Sequence, residues 1–277
     1  MTNKDNWTGE RLEPCITGET MLEHLHRYAF ALLPATGKQV LDIACGEGYG
    51  AALLATRAAR VTGIDIAPEV IEKAAGKYRL PNLRFITGSL TAIPADTAGF
   101  DLITCFETIE HISAAEQEMA FSELKRVLKP EGLLIMSSPD KKNYSDKTGY
   151  QNPFHQKELY AGEFRELVRR YFPFAAFYLQ GSYSGSFIMK EEGGPLKELH
   201  TGNFEKISTG VVPEPMYHIA VASGREINLP APGIFLNPDS ITRLLTEQER
   251  RLKKTITYRT GHALLAPFKF IRSLFRK

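Results

Sequence analysis

What most constrains this 277-residue chain is an alternation between short, continuously apolar runs and amphipathic stretches of helical spacing. Residues 38–44 read as a buried strand, followed by a glycine-rich turn and an alanine-rich helix over 49–58. Residues 60–66 read as a second strand, with Pro68 placed to open a helix that runs to residue 78. Residues 83–87, 100–106 and 132–138 read as the next three strands. A helix over 114–128 is ended by Lys129-Pro130-Glu131-Gly132. Strands that are apolar throughout, not at every second position, are buried on both faces, as happens in a parallel sheet covered by helices on each side. The expected fold class is therefore α/β: a Rossmann-like doubly wound sheet, mostly parallel with an antiparallel last strand, plus a C-terminal helical tail.

Around this centre the chain divides into a main domain over 1–225 and a linker with a basic tail over 226–277. Within the main domain, 1–37 forms an N-terminal helical cap. Its helix spans 19–33, with Met21, Leu22, Leu25, Tyr28, Ala29 and Leu32 on one stripe. Residues 156–171 read as a helix, and 173–180 and 217–223 as strands. Residues 182–215, rich in Gly, Ser and Pro, read as an insertion. Three dispersed cysteines form no CxxC pair and argue against a disulfide framework or zinc site. No run reaches the roughly 20 apolar residues that span a bilayer, and the opening MTNKDNWTGERLEP shows no signal-peptide core, so a cytoplasmic location is expected.

The first strand runs into Asp42-Ile43-Ala44-Cys45-Gly46-Glu47-Gly48, and Asp65 stands nineteen residues after Gly46, at the end of the second strand. In doubly wound sheets ligands bind beyond the carboxyl ends of the strands. Glycines there permit a tight turn and close approach to the backbone, and a carboxylate at Asp65 can accept from both hydroxyls of a ribose. An ordinary glycine turn with a helix-capping aspartate is the plain alternative. Charge selects the nucleotide. A pyrophosphate wants backbone N–H donors and no anions nearby, whereas Asp42 and Glu47 suit the sulfonium and ammonium of S-adenosylmethionine.

These motifs resemble those of class I S-adenosylmethionine-dependent methyltransferases. Val40 to Gly48 resembles the first motif, with Ala44 where the first glycine usually stands. Val61 to Ile66 resembles the second, which implies Asp65 as the ribose ligand and Ile66 beside the adenine. Phe85 to Leu90 resembles the third, where Ser89 replaces a frequent aspartate at the adenine amino group. Phe100 to Ile103 and Leu124 to Gly132 resemble the fourth strand and the helix, turn and strand after it. The cofactor set implied is Tyr28, Asp42, Ala44, Gly46, Gly48, Asp65, Ile66, Ser89, Leu90 and Phe106. In the N-terminal helix His26, Arg27 and Tyr28 are positioned to close over the methionine end of the cofactor, with plain packing the alternative for Tyr28.

Methyl transfer from a sulfonium needs an aligned acceptor and a dry site, and an alcohol acceptor also needs a base. At the end of the fourth strand the chain reads Cys105-Phe106-Glu107-Thr108-Ile109-Glu110-His111. His111 is the candidate base, with Glu110 orienting it; bracing the site is the plain alternative. His155, after the fifth strand, is a second candidate base or sugar contact, or else a helix cap. The three residue types permit a metal, but their spacing does not demand one, so no metal is expected.

Glu10-Arg11, His24 to Tyr28, Asp42 to Gly50, Phe106 to His111 and Asn152 to His155 are similar to a bacterial subgroup associated with surface-glycan assembly. That resemblance implies a sugar hydroxyl as acceptor, on a polysaccharide or its precursor; glycosyltransferases enter as partners of the basic tail or of a scaffold. A lipid quinone or other small metabolite is the alternative acceptor, and a cofactor-binding scaffold the alternative to an enzyme. From Arg250 onward there are nine Lys or Arg and no acidic residue, while the first 249 residues carry 25 basic and 32 acidic side chains, a net of −7. Leu264, Phe268, Ile271 and Phe275 fall on one helical face of this tail. It suits the inner face of a membrane, a partner protein or a homo-oligomer contact. The acidic body argues against nucleic acid.

Overall fold

The inward face of the first helix is the first departure from pattern. In the computed structural model, which describes residues 18–183, 199–202, 204–210, 214–226, 228–236 and 250–261, α1 spans Glu19–Leu32 and buries Glu23, Arg27, Tyr28 and Ala31. Ala29, expected on the buried stripe, is exposed. The apolar periodicity misjudged the face because α1 does not lie on the apolar core alone. It caps the ligand end of the sheet, where a polar inner surface is required.

Five parallel strands follow: β1 Gln39–Ile43, β2 Arg60–Asp65, β3 Leu83–Thr87, β4 Phe100–Cys105 and β5 Leu128–Pro139. Between them run α2 Tyr49–Ala55, α3 Pro68–Lys77 and α4 Ala114–Val127. Pro68 opens α3, and Ser113 with Glu116 forms a capping box that starts α4. After α5 (Ala161–Tyr171) come β6 Phe174–Gln180, a small ladder of β7 His200–Gly202 with β8 Ile207–Thr209, and β9 Tyr217–Ser223. The main sheet has the order β3-β2-β1-β4-β5-β9-β6, with β9 antiparallel to both neighbours. This is the expected Rossmann-like doubly wound sheet.

Successive residues of β1 serve opposite faces. Leu41 and Ile43 pack with Ile64, Ile103, Phe121 and Leu124 on one side; Val40 packs with Val61, Leu102, Leu54 and Tyr28 on the other. Each such burial contributes about 1.5–3 kcal/mol, which is why these strands carry no polar alternation. Strand order reverses between β1 and β4, so the crevice outside their carboxyl ends is the place for a ligand.

Two boundaries differ in ways that shape the site and the sheet, while α2 ends at Ala55, three residues before its expected end. The helix expected over 156–171 begins only at Ala161, because the Gln156 and Lys157 amides donate to the Glu110 carbonyl at 2.8 and 3.1 Å. The turn expected at 129–132 is an irregular part of β5, where pairing with β4 jumps from Phe100 opposite Leu128 to Leu102 opposite Leu133. The chain falls into two compact units, Met1–Ile234 and Phe235–Lys277. In the second, residues 250–261 are helical apart from a bend at 255. The amphipathic stripe read over 264–275 lies outside the described residues. Among the described residues, no helix is long and apolar enough to cross a membrane.

Candidate active site

Beyond β1 the backbone takes a left-handed conformation three times in five residues, at Ala44 (φ 58°), Gly46 (φ 51°) and Gly48 (φ 77°). The turn is pinned from β2: the Cys45 N–H donates to the Ile64 carbonyl, and the Gly46 N–H donates to Asp65 Oδ2 at 3.0 Å. Asp65 Oδ1 accepts from the Ala67 N–H at 3.1 Å. The two glycines do different work. A Cβ at Gly46 would meet nothing within 4 Å, so a ligand can approach there; one at Gly48 would sit 2.7 Å from the Phe85 ring. Gly48 is therefore needed for packing, in addition to its turn. So is Gly50, whose Cβ would overlap the Tyr28 ring.

Asp42 is buried on β1. It accepts from the Thr104 hydroxyl at 2.6 Å and from the Tyr28 phenol at 3.3 Å. Burial pushes its carboxyl up to about 7, against the pull of those two hydrogen bonds. A cationic ligand beside it would restore the charge. Phe106 meets Tyr28 edge-on, with ring centroids 5.1 Å apart. Ile66 is 66% exposed at the end of β2, as an adenine contact needs to be. The Ser89 hydroxyl lies 2.8 Å from that of Thr91. Leu90 turns inward instead, into the core that holds Ile64.

Arg27, read from sequence with His26 and Tyr28 as closing over the cofactor, sits among participants that were not singled out. Arg27 is 1% exposed; its Nε donates to Gln180 Oε1 at 2.7 Å, and its guanidinium lies 4.3 Å from the Tyr217 ring centroid. Nη2 is 3.5 Å from Glu107 Oε1, yet neither Nη makes a hydrogen bond. A buried guanidinium with two unfilled nitrogens is costly and suits an anionic group such as an amino-acid carboxylate. Glu107 leaves β4 with φ 50°, and its Oε1 accepts from the Ser137 hydroxyl at 2.6 Å. His24 Nδ1 lies 2.8 Å from the Tyr49 hydroxyl. Glu23 and Arg27, four apart on one helix face, were a readable signal; Glu107 and Gln180 had none.

Beside this crevice, Glu110, His111 and His155 come together. Glu110 is 1% exposed, and neither carboxylate oxygen has a hydrogen-bond partner. Burial, then the neighbouring charge of Glu107, holds its carboxyl well above the usual range. His111 Nδ1 is 3.1 Å from the Phe154 carbonyl, and His155 Nδ1 is 2.6 Å from Glu158 Oε1. The two imidazoles meet edge-on at 4.9 Å. One ligand atom from each of the three residues lies within 4.8 Å of the others.

A doubly wound sheet with an antiparallel strand inserted near its edge, an anion-flanked turn after β1 and a carboxylate ending β2 define a Rossmann-like fold with a nucleoside-binding crevice. Residues 40–132, about a third of the chain, match the model of the family described as a methyltransferase domain. S-adenosylmethionine is the cofactor its residues fit: Asp42 offers a carboxylate for the cation, Asp65 one for the ribose, and Arg27 two unfilled nitrogens for the carboxylate. The chain is 35% identical over 164 residues to a probable S-adenosylmethionine-dependent methyltransferase of Mycolicibacterium smegmatis, covering 58% of this chain and 62% of that protein. Over 85 residues it is 41% identical to a ubiquinone biosynthesis O-methyltransferase of Albidiferax ferrireducens, covering 29% and 34% respectively. The chain thus spans about three fifths of the length of the first curated relatives it matches. The solved PH0226 protein of Pyrococcus horikoshii shares the fold, with a TM-score of 0.54 at 21% identity over 74% of this chain and 90% of that one.

Proposed function

We propose that the chain is an S-adenosylmethionine-dependent O-methyltransferase whose acceptor is a sugar hydroxyl of a cell-surface glycan or its precursor. The observation that carries the reading is the pairing of a cofactor turn after β1 with a histidine–carboxylate cluster after β4, on the two strands that flank the reversal of strand order. The cofactor supplies an electrophilic methyl group on a sulfonium. Tyr28 and Phe106 wall the crevice and exclude water, while Asp42 and Arg27 favour one orientation of the ligand's charges. The acceptor oxygen loses its proton as it attacks, and His111 is assigned to take it.

The sugar acceptor is supported by the subgroup resemblance and by the lining near the cluster. His155 stacks on Tyr144 at 5.4 Å, the Tyr144 ring lies 5.9 Å from that of half-exposed Tyr150, and Asn152 adds an amide. Polar groups interleaved with aromatic faces suit a carbohydrate. A second reading, a quinone or other phenolic hydroxyl, is favoured by the relative that acts in ubiquinone biosynthesis. The basic tail is assigned to the inner membrane face or a glycosyltransferase partner in either case.

The test supplies methyl-labelled S-adenosylmethionine with separate pools of nucleotide sugars, lipid-linked glycans, polysaccharide and quinones from the source cells. Label in a sugar-containing pool, lost with His111→Ala, is the expected result. Label confined to quinones overturns the acceptor and keeps the chemistry. Measurable cofactor binding with no label anywhere favours a cofactor-binding scaffold.

A further inference from the structure

Three properties of the Glu110–His111–His155 cluster are hard to reconcile with a general base working alone. First, the Glu110 carboxylate is sealed from solvent with both oxygens unfilled, a state that costs several kcal/mol unless a proton or cation completes it. Second, each imidazole is gripped through Nδ1, by the Phe154 carbonyl for His111 and by the Glu158 carboxylate for His155. With Nδ1 as the donor in each ring, the lone pair resides on Nε2. A carboxylate or carbonyl behind each histidine is how metal-binding imidazoles are oriented and made more basic. Third, the Gln156 and Lys157 amides clamp the Glu110 carbonyl, so the loop bearing His155 is tied to the turn bearing Glu110 and His111. The three side chains are held in register by backbone.

The geometry points to a binding site for one divalent transition-metal cation, of the manganese, cobalt or zinc kind, formed by Glu110, His111 and His155. Two imidazoles and one carboxylate on one side, with open positions on the other, is a donor set that such ions accept and that calcium and magnesium disfavour. Donors around one ion lie about 3–4 Å apart, so a cluster within 4.8 Å closes by roughly 1 Å on loading. The Asn152 amide, 3.0 Å from His155 Nε2, yields its place to the ion. Glu107 stays outside the ligand set, engaged by Ser137 and Arg27. The site deepens the O-methyltransferase reading and rests on it only for what the open positions face, a hydroxyl oxygen that the cation acidifies. His111 then gives its lone pair to the ion, and the proton of the acidified hydroxyl passes to solvent water instead of to His111.

The test uses the full chain, stripped with a chelator and titrated with cobalt chloride and manganese chloride. Visible cobalt absorption and calorimetry are the readouts, and S-adenosylmethionine affinity is measured separately in chelator. One cation per chain is expected in the wild type and in a control, His200→Ala, whose exposed histidine lies outside the cluster. At least tenfold weaker binding is expected for Glu110→Gln and His155→Ala, with S-adenosylmethionine affinity changed less than threefold as evidence that both fold. No cobalt band, or equal bands in wild type and both cluster variants, overturns the site. Methylation of a hydroxyl at full rate in chelator also overturns it, while leaving the methyltransferase reading intact. Stoichiometric binding without methyl transfer to any acceptor does the opposite.

Discussion

The two sides of the crevice are built on the same backbone device and filled in opposite ways. β1 and β4, adjacent across the strand reversal, each hand over to a non-glycine residue with positive φ: Ala44 at 58° and Glu107 at 50°. That turn swings the following residues outward over the strand ends. On the β1 side the carboxylates already have partners, Asp65 two amides and Asp42 two hydroxyls. On the β4 side polar capacity is left over, since neither oxygen of the Glu110 carboxylate accepts a hydrogen bond and neither Nη of Arg27, beside Glu107, donates one. A preformed side holds one ligand the same way at every turnover, as a cofactor is held; an unfilled side stores polar capacity for what arrives.

Exchanging the damage between the two sides is the sharpest way to break this comparison. Asp65→Ala removes the anchor of the Gly46 amide together with the ribose acceptor, and charge-assisted hydrogen bonds contribute about 1.5–3 kcal/mol each. S-adenosylmethionine affinity measured by calorimetry should fall by roughly 100-fold or more. His111→Ala should leave that affinity within threefold and lower the methyl-transfer rate by about 100- to 10,000-fold. If both variants lose both properties equally, the sides are one cooperative unit and the division fails.

The same asymmetry explains what could be read in advance. The sheet and the first side were legible because each rests on local rules: continuous apolar runs, glycines where φ must be positive or a Cβ would clash, a carboxylate at a strand end. Asp42, Gly46, Gly48 and Asp65 needed no knowledge of distant contacts. Glu110, His111 and His155 could be nominated by chemistry, but His155 lies 44 positions after His111, and long-range contacts such as the clamp of Gln156 and Lys157 on Glu110 bring them together. Arg27 was read with His26 and Tyr28 as closing over the cofactor, but its burial was not legible, because apolar periodicity assigns a charged residue to solvent, whereas a helix capping a ligand crevice turns its polar side inward. Gln180 and Tyr217, which complete that pocket from the antiparallel end of the sheet, obey no sequence rule at all.

Acidity offers a gentler probe of the first side. With its carboxyl raised to about 7 by burial, Asp42 holds a proton in the folded chain that the unfolded chain has lost. The folded state therefore binds more protons between about pH 4 and 7, and Asp42 makes stability fall as pH rises through that window. A cationic ligand prefers the ionised form, so S-adenosylmethionine affinity should climb by up to about tenfold per pH unit below 7 and level off above it. Asp42→Asn should flatten the curve. A wild-type curve already flat from pH 6 to 8 would place the cofactor's charge away from Asp42.

The smallest expected effect tests whether the backbone device itself is under strain. A left-handed conformation costs a non-glycine residue about 1–2 kcal/mol, whereas glycine loses about 0.5–1 kcal/mol more chain entropy on folding than alanine. Ala44→Gly should therefore stabilise the fold slightly, by about 0.5 kcal/mol, or roughly 1–2 °C in Tm for a domain of this size. Cofactor affinity should not change, because the turn is already formed by its amides to Ile64 and Asp65. A clear drop in Tm would mean that the Ala44 methyl contributes packing worth more than the strain it carries. The first side would then owe its preformed shape to that contact as well as to the hydrogen bonds of Asp65.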